Sequence, residues 1–216
     1  ALSYPNASYQ FWKGDAIANI TPTITNGTGA TTFSAVGLPA GLIIDPISGT
    51  IYGIPSTVQA TGTATITASN SYGAATANIS FEIIAAPTIS YNNNNQYTTS
   101  QTGISLTPTI TGGYNNSVVL NVSAATFSNT TGLTLNTSNG VLAGTASSAA
   151  LATTAYTATI SSTVNGVNKT ATNSFSITIG AAPNSLSYTT PQLIALNNRI
   201  TNLSPTITNG VEDQST

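Results

Sequence analysis

Few side chains in this sequence could do chemistry. The 216 residues include no histidine and no cysteine, so the commonest general bases, metal ligands and thiol nucleophiles are missing. The acids are Asp15, Asp45, Glu82, Glu212 and Asp213. A carboxylate pair could hydrolyse a glycosidic bond, but the long stretch between Glu82 and Glu212 contains no acid at all. We expect no catalytic residue, no cofactor and no enzyme activity.

Asp45 could serve either as a turn residue or as a calcium ligand. Calcium needs six to eight oxygen ligands that carry net negative charge. The surroundings of Asp45 return later in the chain with Asn136 in its place. Asp and Asn both accept hydrogen bonds from the backbone two residues on, whereas the exchange removes the charge that calcium needs. The sequence therefore favours a structural turn, and we predict no metal site.

The basic residues are Lys13, Lys169 and Arg199. Three cations are too few for phosphate-driven binding, so we expect no nucleic-acid partner. Either lysine could form a covalent cross-link to an Asn or Asp. Glu82 could assist the proton transfers for Lys13, whereas the repeat that contains Lys169 has no acid of its own. An exposed lysine near a strand end is the simpler interpretation, and we favour it.

The only tryptophan stands in the run Tyr9-Gln10-Phe11-Trp12. Aromatic rings at the edge of a sheet could stack on a sugar, so Tyr9, Phe11 and Trp12 form a candidate ligand edge. Filling the core or a contact between domains is the more common role of such a cluster. The later segments place Tyr97-Thr98-Thr99 and Leu193-Ile194-Ala195 in roughly the same position, so a sugar site would be private to the first segment.

Ten Asn-x-Ser/Thr sequons occur in the sequence. Proline follows those of Asn19 and Asn202, which makes both poor acceptors. The remaining candidate glycan attachment sites are Asn6, Asn26, Asn78, Asn115, Asn121, Asn129, Asn136 and Asn168. Serine, threonine and asparagine are so abundant that composition alone accounts for most of these sequons, and the pattern does not establish glycosylation.

The clearest structural signal is GLIIDPISGTIYGIP at residues 41–55. Two apolar runs flank Asp45-Pro46-Ile47-Ser48-Gly49, which is rich in turn residues. Nearly the same stretch returns at residues 132–146 as GLTLNTSNGVLAGTA. The recurrence predicts one hairpin in each of two repeated domains.

Two further motifs occur three times each. The openings LSYPNASYQ, ISYNNNNQY and LSYTTPQL begin at Leu2, Ile89 and Leu186, and the motifs ITPTITNG, LTPTITGG and LSPTITNG begin at Ile20, Leu106 and Leu203. The spacing predicts a first domain over residues 1–86, a second over 87–183, and the opening strands of a third over 184–216.

Within each repeat the hydrophobic period is two, as in TATITA from Thr63 and ANISFEI from Ala77. Asn70-Ser71-Tyr72-Gly73 and Asn165-Gly166 are typical hairpin turns. Helix-period segments with caps are missing, and the polar run at residues 92–95 is interpreted as a loop. The sequence predicts an all-β chain of tandem immunoglobulin-like antiparallel β-sandwiches, with about seven short strands per repeat.

Only 4% of the residues are charged, against about 25% in ordinary soluble domains. Neutral residues must therefore provide the solubility, and the chain contains 25 Ser, 40 Thr and 23 Asn. Such a surface barely responds to salt or pH, which suits an extracellular or cell-surface protein. No apolar run approaches the roughly 18 residues of a membrane-spanning helix, so we expect no membrane span.

The sequence GLPAGLIIDPISGTIYGIP, followed by TATITASNSYGAATANISFEI, resembles the immunoglobulin-like repeats of microbial extracellular surface proteins, which are related to dystroglycan-type cadherin-like domains. The likeness covers essentially all of the first repeat, a degraded version of it covers the second, and only the opening strands appear in the third. The resemblance implies a structural or adhesive array used as a stalk, cell-surface layer or filament component. Its partners would be neighbouring repeats or copies of itself.

Two other functions stay open. The chain could be an adhesin module that binds surface glycans or host proteins through its loops or the candidate ligand edge. It could also be a filament subunit, because the opening strands over residues 184–216 lack partners and could pair with another copy. A chain cut inside a repeat is the simpler explanation of that segment.

Overall fold

A computed structural model describes residues 1–25, 27, 31–182, 185–187 and 206–208. The chain divides into two compact units, neither of which is contiguous in sequence. Unit 1 consists of Ala1–Thr88, Ile110–Ser117 and Ile160–Ala171, and unit 2 consists of Ile89–Thr109, Val118–Thr159 and Thr172–Thr216. The domain boundaries predicted after residues 86 and 183 stay a prediction.

The described residues are mostly strands, so the predicted all-β class is confirmed. The first repeat holds β1 (Leu2–Ser3), β2 (Ser8–Trp12), β3 (Thr23–Ile24), β4 (Thr32–Val36), β5 (Leu42–Ile44), β6 (Ile51–Gly53), β7 (Gln59–Asn70) and β8 (Gly73–Ile84). The second holds β9 (Thr88–Ser90), β10 (Asn94–Thr98), β11 (Ile104–Leu106), β12 (Thr109–Thr111), β13 (Ser117–Leu120), α1 (Ala124–Thr131), β14 (Leu133–Leu135), β15 (Leu142–Gly144), β16 (Leu151–Val164) and β17 (Val167–Gly180). The third segment contributes β18 (Ser185–Ser187) and β19 (Thr206–Thr208).

Both repeats build the same main sheet. Its strand order is β2-β8-β7-β4 in the first repeat and β10-β17-β16-β13 in the second. The expectation of short strands is wrong for the central hairpins, because β7 and β8 have 12 residues each and β16 and β17 have 14. Long strands with alternating side chains can bury one face over their whole length, which a short hairpin cannot do.

Both predicted hairpin turns are confirmed. β7 and β8 are joined by the two residues Ser71 and Tyr72, and the Tyr72 backbone N–H donates to Asn70 Oδ1 at 2.9 Å. β16 and β17 are joined by Asn165 and Gly166, whose φ angles are 48° and 77°. Two consecutive positive φ angles define the type I′ turn that Asn-Gly favours.

The period-two pattern places apolar residues in the core and polar residues outside. Ala64, Ile66 and Phe81 of the main sheet in unit 1 are fully buried. Burial of one such large apolar side chain contributes about 1.5–3 kcal/mol. On the outer face, Thr65 Oγ1 donates to Asn78 Oδ1 across the same two strands at 3.0 Å.

The three recurring motifs meet at one point in each repeat. In the first, the Tyr4 hydroxyl of the opening motif donates to the backbone oxygen of Gly49, in the hairpin turn, at 2.6 Å. In the second, the Tyr91 hydroxyl donates to the backbone oxygen of Gly140. Pro22 of the TPTIT motif lies against Gly49. The motifs recur together because each supplies one part of this contact.

Glycine is required for two separate reasons in the turn that joins β5 to β6 in the first repeat and β14 to β15 in the second. Gly49 has a φ of 72°, and a Cβ built there would lie 2.5 Å from the buried Phe33 ring. Gly140 has a φ of 73°, and its Cβ would lie 2.9 Å from Pro108. The positive φ disfavours an L side chain, and the packing leaves no room for one.

The expectation that capped helical segments are missing is wrong. Helix α1 begins after Ser123, whose hydroxyl accepts from the Thr126 backbone N–H at 3.1 Å. It ends at Gly132, which has a φ of 77°. Phe127 fixes the helix by packing edge-on against Tyr156, with ring centroids 5.0 Å apart. Eight residues are too few to show a helical period, and the segment is poor in strong helix formers.

The loop interpretation of residues 92–95 is wrong for Asn94 and Asn95, which begin β10. Asn95 is only 7% exposed. Its Nδ2 donates to the backbone oxygens of Asn92 at 2.9 Å and Ser176 at 3.0 Å. The buried amide is tolerated because its hydrogen bonds are satisfied.

The described part of the third segment consists of one strand pair. β18 pairs antiparallel with β19, with Leu186 opposite Ile207. The first repeat pairs Leu2 with Ile24 in the same way. The strand-donation alternative falls mostly on residues outside the described ones and stays a prediction.

We predict that Gly49→Ala destabilises the first repeat by about 3 kcal/mol, because the strained φ and the overpacking against Phe33 add together. The matched control is Gly14→Ala, where φ is 86° but nothing lies within 4 Å of the added Cβ. That variant should lose only about 1 kcal/mol, from the φ strain alone. Urea unfolding of both variants measures the difference, and equal losses would show that packing at Gly49 is unimportant.

We predict that Tyr4→Phe and Tyr91→Phe each destabilise the fold by about 1 kcal/mol, since each removes the donor to a turn glycine. Tyr72→Phe is the control, because Tyr72 is 83% exposed.

Burial raises the pKa of both Tyr4 and Tyr91 to about 12, above the value of about 10 in an unfolded chain. Stability is therefore present below pH 10 and is lost as pH rises towards 12. Thermal melts of the double Phe variant should show a shallower alkaline loss, and an unchanged slope would contradict this assignment.

Candidate binding groove

Strand β2 carries the candidate ligand edge at one side of the main sheet in unit 1. It pairs in parallel with β8, with Ser8 opposite Ser80 and Trp12 opposite Ile84. Because side chains alternate along a strand, Tyr9 and Phe11 face the core while Gln10 faces outward. Gln10 Nε2 donates to Glu82 Oε2 at 2.8 Å on that outer face.

The inward rings form one stacked cluster. Tyr9 and Phe11 are nearly parallel, with centroids 5.9 Å apart and an interplanar angle of 12°. Both also stack on the fully buried Phe81, at 5.7 and 6.5 Å. The Tyr9 and Phe11 side chains are half-buried. Their role as a ligand edge stays a prediction.

Trp12 occupies a different environment from the other two aromatic residues. It is 3% exposed and clusters with the buried Ile84 and Val164. Its indole N–H donates to the backbone oxygen of Val167 at 3.0 Å. Trp12 therefore fills a core within unit 1, and its buried ring is not free to stack on a sugar.

A groove of about 490 Å³ runs along β2, and all of its lining residues belong to unit 1. We call it the β2 groove. Tyr9, Phe11 and Ile17 are among its apolar lining residues, and all three also pack against the core of unit 1. Ile17 is held in place because its N–H donates to the backbone oxygen of Gly53 at 3.0 Å. The volume is typical of ligand sites, which span about 300–1,000 Å³.

Asn165 closes one end of the β2 groove. Its side-chain Nδ2 donates to the backbone oxygen of Gln10. Sequence reasoning identified Asn165 only as a turn residue, and it did not identify Ile17 at all. Asn165 lies far from Tyr9 in sequence, and Ile17 belongs to no recognised motif. Only the fold brings them together with Tyr9.

The charge of the β2 groove is balanced locally. Asp15, which lines it, pairs with Lys169 Nζ at 2.7 Å, and the two side chains are 42% and 25% exposed. The same ammonium lies 5.7 Å from the centroid of the Trp12 ring. The second repeat has no acid of its own, and Lys169 has its acid partner, Asp15, in the first repeat. Glu82, the acid suggested for Lys13, accepts from Gln10.

Asp45 shapes the hairpin turn. Its Oδ1 accepts from the backbone N–H groups of Ile47 at 2.9 Å and Ser48 at 2.7 Å. These bonds, first that from Ser48, lower the pKa of Asp45. Asn136 Oδ1 accepts from Ser138 N at 3.0 Å in the second repeat. Within the described part of the chain, no three His, Cys, Asp or Glu side chains cluster as metal ligands would.

The candidate glycan sites are at the surface wherever the structure describes them. The exposed asparagines are Asn6, Asn78, Asn115, Asn121, Asn129, Asn136 and Asn168. Asn26 lies outside the described residues. Their use for glycosylation stays a prediction.

The pairing of β2 with β8 and of β10 with β17 aligns the two repeats residue by residue. Asn95 lies opposite Ile177, as Tyr9 lies opposite Phe81. Asn95 therefore replaces Tyr9, and by the same register Tyr97 and Thr98 replace Phe11 and Trp12. Tyr97-Thr98-Thr99 therefore overlaps the second half of the aromatic run, which agrees with the rough position expected from the sequence.

The described residues thus fold as tandem immunoglobulin-like repeats. Residues 1–85 match the family model described as "Putative Ig domain". The resemblance stated for the first repeat is confirmed. A comparison with curated proteins finds no match, and no helix among the described residues is long and apolar enough to cross a membrane.

Solved structures support the same fold. The chain is similar to the "I-band fragment I67-I69 from titin", with a TM-score of 0.53 and 15% identity, over 84% of this chain and 66% of that one. It is also similar to the "E-to-A mutated variant" of titin domains I67–I69, with a TM-score of 0.55 and 13% identity, over 98% of this chain and 89% of that one. The chain thus spans just under two thirds of the first fragment. At these identities the likeness shows the fold alone.

We predict that Asp45→Asn changes the melting temperature at pH 7 by no more than about 3 °C, because Asn can accept the same turn hydrogen bonds. Below about pH 4 the wild type should lose more stability than the variant. A lowered carboxyl pKa contributes stability above the unfolded value, which is lost as pH falls through the folded value. Thermal melts between pH 2 and 7 measure this. A large loss at pH 7, or an EDTA-sensitive melt that the substitution abolishes, would contradict the turn role.

Proposed function

We propose that the chain is a structural or adhesive array of immunoglobulin-like repeats outside the cell, and that it bears load in a stalk, surface layer or filament. Its partners would be neighbouring repeats and copies of itself. The observation that carries this proposal is the parallel pairing of the first long strand of each repeat with the last.

The parallel pair is placed to resist tension along the chain. β2 enters the main sheet of the first repeat and β8 leaves it. Five residues of β2 face Ser80 to Ile84, and the Lys13 N–H extends the pairing by donating to the backbone oxygen of Ile84 at 2.8 Å. Tension on both ends of the repeat slides the two strands past each other, so these hydrogen bonds are loaded together instead of one at a time.

The second repeat has the same arrangement. Asn94 to Thr98 of β10 pair in parallel with Ser176 to Gly180 of β17. The Thr99 N–H extends this pairing by donating to the backbone oxygen of Gly180 at 2.9 Å. A device present in both repeats fits a role common to the whole array.

The outer faces support an extracellular location. Their strands are joined by neutral side-chain hydrogen bonds, such as Thr153 with Thr178 at 2.8 Å and Thr157 with Ser174 at 3.2 Å. Neutral pairs keep their strength when salt or pH changes. A surface of this kind suits surroundings that the cell does not control.

Single-molecule force spectroscopy tests the load-bearing role. The chain lacks cysteine, so handles can be attached at introduced cysteines. Asn6→Cys with Ala86→Cys pulls the start of β2 against the end of β8 and shears the parallel pair. Asn6→Cys with Tyr72→Cys pulls the two strand starts apart and peels the pair. We predict a clearly higher unfolding force for the first geometry, and equal or lower force there would contradict the proposal.

A binding module is the second candidate, and the β2 groove is the observation that favours it. Its half-buried rings Tyr9 and Phe11 and its volume fit a ligand. A glycan array comparing the wild type with Phe11→Ala tests a carbohydrate ligand. Trp12→Ala would be a poor test, because loss of a buried tryptophan would itself destabilise the fold.

A further inference from the structure

We propose that the β2 groove takes an extended, uncharged peptide segment, which adds as a strand to the open edge of β2. This inference rests on the second candidate function, the binding module, and does not depend on the load-bearing role. Its three supports are the direction of the β2 backbone groups, the apolar wall and the local charge balance.

The backbone of β2 presents hydrogen-bonding groups towards the groove. The Ser80 N–H donates to the backbone oxygen of Ala7, and the Lys13 N–H donates to that of Ile84. Odd-numbered residues of β2 therefore turn their backbone groups towards β8. Even-numbered residues turn theirs to the opposite side, where Ser8 and Gln10 line the groove.

The contact made by Asn165 independently confirms this direction. Its side-chain amide donates to the backbone oxygen of Gln10, as a strand on that side would do. Among the described strands, β8 is the one that pairs with β2, which therefore lies at the edge of its sheet. An edge of this kind is the template for strand addition.

The walls of the groove suit the side chains of an added strand. Tyr9 and Phe11 of β2 and Ile17 of the following segment supply apolar side chains to the lining. A strand lying along β2 would direct alternate side chains towards these three residues. Its other side chains would remain in water, so an alternating sequence is expected.

The electrostatics select an uncharged segment. Among the described residues that line the groove, Asp15 is the one that carries a charge, and Lys169 neutralises it at 2.7 Å. A charged ligand side chain would find no free counter-charge there, and it would lose hydration on entering. A neutral segment pays no such penalty.

A peptide fits these observations better than a sugar does. Tyr9 and Phe11 are stacked on Phe81 and serve as a wall, and Trp12 is buried. The distinctive groups of the site are the outward backbone groups of Ser8 and the outward N–H of Gln10, which match the backbone of another strand. The outward oxygens of Gln10 and Trp12 already accept from Asn165 and Asp15.

The probe is a panel of acetylated heptapeptides in which valine, leucine or isoleucine alternates with serine or threonine. Binding to the full chain is measured by fluorescence anisotropy. Ser8→Pro removes the outward N–H and leaves the pairing with β8 intact, so we expect binding to fall about tenfold. Ser8→Ala, which keeps that N–H, should bind like the wild type.

The second repeat supplies a matched control. Asn94 occupies the register position of Ser8, because it lies opposite Ser176 as Ser8 lies opposite Ser80. Asn94→Pro introduces proline at the equivalent position of the second repeat, where the neighbouring residue is Asn95 instead of Tyr9. It should leave peptide binding unchanged.

N-methylation of the peptide gives a second reading that does not require a folded variant. Methyl groups on the alternate set of amides that faces β2 should abolish binding. Methyl groups on the other set, which faces away from β2, should leave binding intact. No binding by any peptide, or equal loss with both methylation patterns, would overturn the proposal. Glycan binding that Phe11→Ala abolishes, together with no peptide binding, would overturn it and leave the binding-module function standing.

Discussion

A hydrogen bond from an opening tyrosine to a turn glycine joins distant parts of each repeat. Tyr4 reaches the backbone oxygen of Gly49, and Tyr91 reaches that of Gly140. The donor follows the first strand of the repeat, and the acceptor lies in the turn between β5 and β6 or between β14 and β15. The bond therefore closes the start of each repeat onto its middle. Its geometry depends on glycine, because a side chain at Gly49 would displace Phe33.

The hairpin turn also holds the far edge of the main sheet. The Phe33 N–H of β4 donates to the backbone oxygen of Pro46 at 2.9 Å, and the Val118 N–H of β13 donates to that of Thr137 at 2.7 Å. Asp45 shapes the turn that presents the first of these acceptors. Opening strand, turn and edge strand are thus tied together within each repeat. β2 lies at the opposite edge of the same sheet, where it pairs with β8.

Much of the fold could be predicted from the sequence, because its signals are local. Asn165-Gly166 requires positive φ at two positions, and the alternation from Ala77 requires one buried face. Helix α1 was missed because eight residues cannot show a helical period, although Ser123 and Gly132 are ordinary capping residues. Asn95 was misread because a polar run normally predicts a loop, and its hydrogen-bond partner Ser176 is distant in sequence.

The candidate site was less accessible to sequence reasoning. The aromatic run could be recognised in the sequence. The face of the sheet that each ring occupies, however, depends on the pairing of β2 with β8. That pairing places Trp12 on the opposite face of the sheet from Tyr9 and Phe11, and it buries Trp12 although all three residues line the groove. Ile17 and Asn165 line the same groove. Neither residue carries a motif that could have linked it to the aromatic run.

Native-state hydrogen exchange tests most directly whether the tyrosine–glycine contact makes each repeat one cooperative unit. The informative amides are those of Ile20, Phe33 and Asp45, which donate to the backbone oxygens of Ile51, Pro46 and Thr50. If the contact unites the repeat, these amides exchange with the same opening free energy as the core of β7 and β8, and Tyr4→Phe lowers all of them together. If the hairpin amides already open independently and more easily in the wild type, and Tyr4→Phe changes only Ile20, the central role of this contact is contradicted.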